Sequence, residues 1–466
     1  MCTNAPLAAG KHTLITVSII AVCILAIYAI MFGNYRVNLA IDTPWYLSIS
    51  YNFCMKGIDT DPTFGGSFPF AMGGTVAFGK LAAMLQCAAL APFNWSLAAA
   101  NVLSVAGVML SVAAIFAFLV GEGFGCLGAV TCCLALAATE PFIAMANQSK
   151  YEYITFFLAV SGLLLAARRH LFLAGLISVL AIEVQPIGIM APIYVISYEL
   201  SRTLQTRRLR LEFDRIAKLV LGGVLGSVGY FILHPDILAL LAASSNSAGW
   251  NAYPTHFLYE YFFEARLYRH LPELAVFTAC FLVHIWRRDY MELPFPIIAS
   301  LATFFIGFFL HHGNSFYVPF WYFPSFLLVF LTIGVAWRAV LFPALALVLF
   351  VPQYAVAYVE GHKYADQGAL QVARSVIASR GTDLTHAHIF GDSIFWPVFK
   401  DLSFEWSPSV LSKQPRGTSY LICGLDPPFF TFEHVCADEL PAFSDMQLIE
   451  QFSWAGRKYL VYEQRE

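Results

Sequence analysis

The stretch NLAIDTPWYLSISYNF, Asn38–Phe53, follows an apolar run that extends from Leu14 to Phe32. That run is long enough to cross a bilayer, which takes about 20 residues. Since no small-residue cleavage site follows it, we interpret it as an uncleaved first helix. Just beyond it the sequence places a carboxylate, Asp42, together with Tyr46 and further aromatic residues. An acid beside a membrane boundary indicates either the cap of a surface helix or a reactive group at the membrane surface.

The composition identifies an integral membrane protein. The 466 residues are 59% hydrophobic and 12% charged, whereas soluble domains carry about 25% charged residues. The net charge of −3 carries no information about partners, and no basic tract indicates nucleic-acid binding. The ten cysteines lie mostly in apolar runs, and no Cys or His spacing is typical of a metal site.

Apolar segments recur along most of the chain. They lie near residues 13–33, 71–91, 97–120, 124–146, 151–167, 171–183, 186–198, 216–234, 271–286, 294–310, 317–336 and 338–358. The pair 171–183 and 186–198 is short for two spans, so it predicts two abbreviated helices or a broken hairpin. The turn of this pair is expected at Glu183–Pro186, and Glu183 itself is expected at the external face or lining a cavity, because a carboxylate in lipid is costly.

Basic loops predict the orientation, because Lys and Arg concentrate on the cytoplasmic side. The basic loops are Arg168–His170, Arg202–Lys218, Arg287–Arg288 and Arg338. If every segment crossed, Asp42 would lie on the cytoplasmic side with Arg168.

If residues 71–91 do not cross the membrane, all basic loops lie on the cytoplasmic side and Asp42 lies on the outer side. That segment contains three glycines and Lys80 and is bounded by Pro69 and Pro92, so we interpret it as lying at the outer interface. The N-terminus is then cytoplasmic and Asp42 is external.

The predicted fold is an all-α polytopic membrane protein of about eleven transmembrane helices plus juxtamembrane helices, with a small external α/β domain at its C-terminus. The transmembrane part covers residues 1–358, with its first external loop at 34–96, and the external domain covers 359–466. A polar helix at Asp366–Arg380 and strand-like stretches HAHIFGD, SYLICG and KYLVYEQ indicate the α/β domain. Its cysteines, Cys423 and Cys436, can form a disulfide if the domain lies in an oxidising compartment.

The order of these features resembles the type C glycosyltransferases, which include protein O-mannosyltransferases and lipid A aminoarabinose transferases. The resemblance covers about 350 residues. It is carried by the acid and Tyr of the first external loop, a non-crossing stretch, and a second external loop with Lys150 and Glu152. Gln185-Pro186-Ile187-Gly188 then stands where the family has a Lys-Pro-x-Gly turn. Two departures are Thr43, where many members have a second acid, and Gln185 in place of Lys.

The resemblance implies transfer of a sugar from a polyprenyl phosphate to an acceptor at the outer face of the membrane. Such a site must deprotonate an acceptor hydroxyl and neutralise the charge of the leaving phosphate. Asp42 is the candidate base, and Glu152 is a candidate second acid or metal ligand. The alternatives for these acids are a helix cap and an exposed helix-start acid, respectively.

The candidate substrate-binding residues are Tyr46, Lys150, Gln185, His311, His312 and Tyr317. For the last three, which topology places at the external face, an interfacial aromatic belt is the alternative. No cofactor is required by the sequence, and a divalent metal ion is left open.

The sequence thus predicts a hexosyl- or pentosyltransferase of the bacterial inner membrane. Its partners are a polyprenyl-phosphate-linked sugar, the lipid bilayer, and a glycan, lipid or protein acceptor, without nucleic acid. One alternative is an O-antigen ligase or polymerase, whose large external loop usually comes late in the chain and is rich in Arg. Another is a lipid or solute transporter, which usually shows repeated halves and ionisable residues at mid-membrane.

Overall fold

A computed structural model describes residues 42–57, 71–72, 75–76, 78–147, 149–206, 213–237, 271–287, 294–306, 318–332, 368–380, 384, 386–405, 418–425, 436, 446–454 and 456–464. The first and last predicted apolar segments, 13–33 and 338–358, lie outside these residues. So do the candidates His311, His312 and Tyr317.

The membrane part of the described chain is helical. Its helices are α1 (Asp42–Lys56), α2 (Lys80–Leu90), α3 (Leu97–Gly121), α4 (Cys126–Ala137), α5 (Glu140–Asn147), α6 (Glu152–Ala167), α7 (Leu171–Val184), α8 (Met190–Thr206), α9 (Phe213–Leu233), α10 (Leu271–Arg287), α11 (Pro294–Phe304) and α12 (Val318–Thr332). Two short strands, β1 (Ala71–Met72) and β2 (Thr75–Val76), pair antiparallel before α2.

Among the described residues, two helices are long and apolar enough to cross a membrane, Leu97–Gly121 and Asp214–Leu233. A bent pair, Gly128–Ala137 and Pro141–Asn147, passes the same test as one broken span with a bend of 64°. Six further apolar helices are shorter than a full span. The membrane character is therefore evident, and the number of eleven crossings stays a prediction.

The segment near 124–146 is divided into α4 and α5. Pro141 lacks an N–H group, and its ring collides with the carbonyl of the residue four positions earlier in a continuous helix. That residue is Ala137, at which α4 ends. The break expected at Glu183–Pro186 is present: α7 ends at Val184, and a 3-10 turn at Pro186–Ile189 leads into α8.

Helices α7 and α9 pack backbone to backbone through glycines. A Cβ atom on Gly222 of α9 would lie 1.9 Å from the carbonyl oxygen of Phe172, and one on Gly175 would lie 2.2 Å from that of Leu219. Small residues at such crossings allow close helix contact in membranes, where hydrophobicity alone does not drive helices together.

The C-terminal α/β unit, residues 368–464, contains one five-stranded sheet. Its elements are α13 (Gly368–Ser379), β3 (His388–Gly391), α14 (Trp396–Phe399), β4 (Ser403–Glu405), β5 (Ser419–Gly424), β6 (Gln447–Trp454) and β7 (Arg457–Gln464). The strand order is β4-β3-β5-β7-β6. Strand β3 runs parallel to β4 and β5, while β7 is antiparallel to β5 and β6.

Two disulfide bonds are present in the described residues. One joins Cys423 of β5 to Cys436, as the sequence allowed. The other joins Cys54 of α1 to Cys87 of α2, with Cα atoms 5.5 Å apart. This second bond was not predicted, because the two cysteines lie 33 residues apart and nothing in the local sequence pairs them.

Candidate active site

Gln185 lies at the centre of a buried polar cluster. The proline that follows it restricts Gln185 to an extended backbone, and its φ and ψ are −163° and 143°. Its Nε2 donates to the hydroxyl of Tyr46 at 3.0 Å and to Oε1 of Glu152 at 3.1 Å. The three side chains are 2%, 6% and 5% exposed, respectively. Helices α1 and α6 and the break after α7 therefore meet at one point.

An aromatic wall flanks this cluster. The ring of Tyr46 lies 4.6 Å from the ring of Trp45 and 4.6 Å from that of Tyr151, between centroids. Ser50, one helical turn after Tyr46 and therefore on the same face of α1, is 2.8 Å from the Tyr151 hydroxyl. This face of α1 is thereby fixed against the chain that precedes α6.

Helix α2 holds that chain from another side. Nε2 of Gln86 donates to the carbonyl of Ser149 at 3.4 Å and to the hydroxyl of Tyr153 at 3.3 Å. The hydroxyl of Ser104, on α3, lies 3.3 Å from that of Ser149. The residues on both sides of Lys150 and Glu152 are therefore bonded to neighbouring helices, which restrains these two side chains.

Glu183 anchors the start of α2. Its carboxylate oxygens accept from the Leu81 N–H at 3.3 and 3.2 Å, and Oε1 lies 2.9 Å from Nε2 of His234. Its own backbone carbonyl accepts from the Gly79 N–H at 2.6 Å. Because the first turn of a helix exposes N–H groups and positive partial charge, α2 favours a carboxylate at this position. The acid is fully buried and satisfied by these partners.

Gly79 permits the close approach of α2 to the aromatic wall. Its φ is +87°, and a Cβ atom there would lie 2.5 Å from the ring of Tyr151. A side chain at this position would therefore displace either the start of α2 or Tyr151, which contacts Tyr46.

Comparison with known proteins finds similarity at the level of structure. No family model and no curated protein sequence matches the chain. The structure is similar to that of ArnT from Cupriavidus metallidurans bound to undecaprenyl phosphate, with 13% identity, a TM-score of 0.56, and coverage of 96% of this chain and 97% of ArnT.

The apo state of ArnT matches with 14% identity and a TM-score of 0.56, over 98% of each chain. The oligosaccharyltransferase of Archaeoglobus fulgidus, in complex with Zn and sulfate, matches with 12% identity and a TM-score of 0.54, over 87% of this chain and 67% of that protein.

The chain has the type C glycosyltransferase (GT-C) fold. The fold implied by the sequence resemblance, which covered about 350 residues of the membrane part, is thus confirmed. The structural similarity to ArnT extends further, over 96% of the chain.

Within the GT-C fold of this chain, the structure brings together three of the candidates, Tyr46, Glu152 and Gln185. Lys150 is 1% exposed and lies two residues before Glu152, at the same turn. The backbone of Asp42 forms the first residue of α1, one helical turn before Tyr46. The side chain of Asp42 lies outside the described part of the structure.

Three features of this site were missed from the sequence. Gln86 carried no signal, because it lies within an apolar segment. Tyr151 stands between the candidates Lys150 and Glu152 but was not singled out. The pairing of His234 with Glu183 joins residues 51 apart in sequence. For Glu183, the energetic cost of a carboxylate in lipid indicated that the side chain needs polar partners. It did not identify those partners.

A metal site built only from the described residues is absent, since no group of three or more His, Cys, Asp or Glu side chains in them could hold an ion. The side chains of Asp42, His311 and His312 lie outside the described part of the structure. What the described cluster offers chemically is a buried carboxylate, an amide and a phenol, with a lysine two residues away.

Proposed function

We propose that this protein is a membrane glycosyltransferase that moves a sugar from a polyprenyl phosphate to an acceptor at the outer face of the bacterial inner membrane. The observation that carries the proposal is the Tyr46–Gln185–Glu152 cluster at the start of α1. The similarity to ArnT bound to undecaprenyl phosphate supports a lipid phosphate as the donor's carrier.

In the proposed reaction the carboxylate of Asp42 removes the proton of an acceptor hydroxyl. The oxygen attacks the anomeric carbon of the sugar, and the bond from that carbon to the phosphate oxygen breaks. The polyprenyl phosphate leaves with the bonding electrons. Positive or hydrogen-bonding groups that stabilise the leaving phosphate accelerate this step, and Lys150 is the candidate for that role. Both N–H groups of the Gln185 amide already donate to Tyr46 and Glu152, so Gln185 contributes by fixing these two side chains.

Glu152 and Tyr46 complete the proposed site. Glu152 is held by the amide of Gln185 and serves as a second acid that orients this amide. The ring of Tyr46 offers an apolar surface for the prenyl chain or the sugar. A later external loop, which contains His311, His312 and Tyr317, is proposed to contact the acceptor or the phosphate.

The test is sugar transfer by the full-length protein reconstituted in lipid vesicles. Radiolabelled monosaccharides on polyprenyl phosphate are supplied together with an envelope extract that contains glycan, lipid and protein acceptors. We expect label on an acceptor and release of polyprenyl phosphate in equal amounts. A ligase would instead require an oligosaccharide on a diphosphate carrier, and a transporter would move label across the bilayer without changing its chemical linkage. Either of those results would contradict the proposal.

A further inference from the structure

Helix α1 lies between two separate hydrophobic cores. Trp45, Tyr46 and Ile49 belong to the core of the helical bundle, while Leu47 and Tyr51 belong to the core of the C-terminal α/β unit. Residues four apart occupy the same face of a helix, so Leu47 and Tyr51 form one continuous stripe. One face of α1 therefore contacts the Gln185 cluster, and another contacts the C-terminal unit.

Tyr51 makes both polar and ring contacts to the C-terminal unit. Its hydroxyl donates to Oδ1 of Asp401, and its ring lies edge-on to that of Trp396, with centroids 5.8 Å apart. The ammonium of Lys400 lies 5.9 Å from the centre of the same ring and donates to the carbonyl of Asn94 at 2.6 Å. These contacts attach α14 and the two residues after it to both α1 and the chain that follows α2.

The Tyr51 phenol remains a hydrogen-bond donor at physiological pH. Burial, together with the hydrogen bond to Asp401 and its negative charge, raises the pKa of Tyr51 to about 12. One turn after Tyr51, the disulfide from Cys54 to Cys87 fixes the end of α1 to α2. The second half of α1 is thus held by a covalent bond and by the C-terminal unit.

We propose that the C-terminal α/β unit positions α1 for catalysis, with Tyr51 as the positioning residue and Asp401 and Trp396 as its partners. This inference rests on the proposed function, because it assigns Asp42 the role of base. Tyr51 follows Asp42 on α1 by roughly 14 Å along the helix axis, at 1.5 Å per residue. It therefore acts through the direction and rigidity of α1 and does not touch the reacting atoms.

The test compares full-length variants in lipid nanodiscs. Tyr51→Phe and Asp401→Ala each remove the hydrogen bond, whereas Asp401→Asn keeps an oxygen that can accept it. The matched control is Tyr462→Phe, because Tyr462 lies in the smaller core of the C-terminal unit that contains Cys423 and Cys436, away from α1. Two quantities are measured for each variant: amide hydrogen exchange across residues 42–50, and kcat and KM for sugar transfer.

For Tyr51→Phe and Asp401→Ala we expect faster exchange at residues 42–50 and a kcat lower by about 5-fold, the effect of one net hydrogen bond. The KM for the donor should stay within about 2-fold, because the donor contacts are unchanged. The double variant should cost no more than either single one. Asp401→Asn should restore kcat to within about 2-fold of wild type.

Unchanged kcat in both single variants would overturn the inference, as would an equal loss in Tyr462→Phe, which would indicate general destabilisation. A wild-type protein without any transfer would refute the proposed function. In that case unchanged exchange at residues 42–50 would also overturn the positioning role, while faster exchange would support it.

Discussion

At Gln185, one amide group donates to two acceptors on different helices, the Tyr46 hydroxyl and Oε1 of Glu152. All three side chains are buried, so a lost donor is not replaced by bulk water. Truncating one partner of a buried polar pair costs the desolvation of the group left behind, about 1–3 kcal/mol. The residue therefore has a structural role that is separable from any contact with substrate.

We expect Gln185→Ala to lower the free energy of unfolding by about 1–3 kcal/mol, because Oε1 of Glu152 loses this donor. Thermal unfolding in detergent would measure the change. Gln451→Ala is the control, since Gln451 is exposed on β6 and surface substitutions usually stay within about 0.5 kcal/mol. Equal shifts in the two variants would contradict the role of Gln185.

For individual residues, the sequence identified candidate side chains of the site but not the hydrogen bonds between them. Glu152 and Gln185 were named individually from the order of motifs. Their hydrogen bond, and that of Gln185 to Tyr46, link positions 33 and 139 apart. No local pattern encodes such pairings, because they depend on which helices the tertiary fold brings together.

Among the elements, α2 determines how closely the predicted non-crossing segment approaches the site. It has 11 residues, which corresponds to a length of about 17 Å at 1.5 Å per residue. Its start is bonded to Glu183 and rests against Tyr151. Displacing α2 would therefore disturb the aromatic wall beside Tyr46.

We predict that Gly79→Ala is more harmful than Gly123→Ala. Both glycines have nearly the same backbone angle, φ +87° and +86°, but a Cβ on Gly79 would lie 2.5 Å from the Tyr151 ring, and one on Gly123 would meet nothing within 4 Å. Gly123→Ala should cost about 1–2 kcal/mol from backbone strain alone. Gly79→Ala should cost more in thermal unfolding and also reduce sugar transfer. If the two variants had the same thermal stability and the same transfer activity, the Tyr151 ring would move aside without an energetic cost, and the prediction would be wrong.

The elements found from the sequence are those with a clear apolar pattern or a proline. Strands β3 and β5 lie within the predicted stretches, strand β7 begins one residue before its stretch, and the proline at 186 indicated the break after α7. Strand β6, with the sequence QLIEQFSW, was missed. Most of its side chains are exposed, so its sequence lacks the apolar pattern of a buried strand. The bend between α4 and α5 was missed because apolar residues lie on both sides of Thr139, Glu140 and Pro141, so the whole stretch has the pattern of one segment.

For the whole molecule, the two disulfides bear on orientation. Cys54 and Cys87 lie in the predicted first external loop, and Cys423 and Cys436 lie in the C-terminal unit that packs on it. Disulfides persist in oxidising compartments such as the periplasm. Both bonds therefore agree with one external face shared by the loop and the C-terminal unit.

We predict that residues 71–91 do not cross the membrane. Periplasm-active reporter fusions at Lys56 and Asn94 should both be active, whereas fusions at Arg168 and Arg207 should be inactive, because basic loops remain cytoplasmic. A cytoplasmic signal at Asn94 would contradict the prediction and would reverse the membrane orientation assigned to the residues before Asn94.

The fold of the membrane part was accessible from the sequence through the order of its segments, because helices, basic turns and the acid after the first segment follow one another as in type C glycosyltransferases. For the C-terminal unit the sequence indicated only an α/β class. The number of crossings was less accessible. Several described helices are shorter than a full span, so apolar length alone does not separate spanning helices from interfacial ones.

The central claim is that Asp42 is the base of a sugar transfer, and the most direct measurement is the turnover of Asp42→Asn at saturating donor in reconstituted vesicles. Asparagine preserves size and much of the capping ability but removes the base. Asp214→Asn is the matched control, since Asp214 is also an acid in the first turn of a helix, where it pairs with Lys218. We predict that Asp42→Asn loses 10²- to 10⁴-fold in turnover, the typical effect of a lost general base, with normal membrane insertion, while Asp214→Asn stays close to wild type. If Asp42→Asn kept more than about a tenth of wild-type turnover, Asp42 would be a structural cap and the account would be wrong.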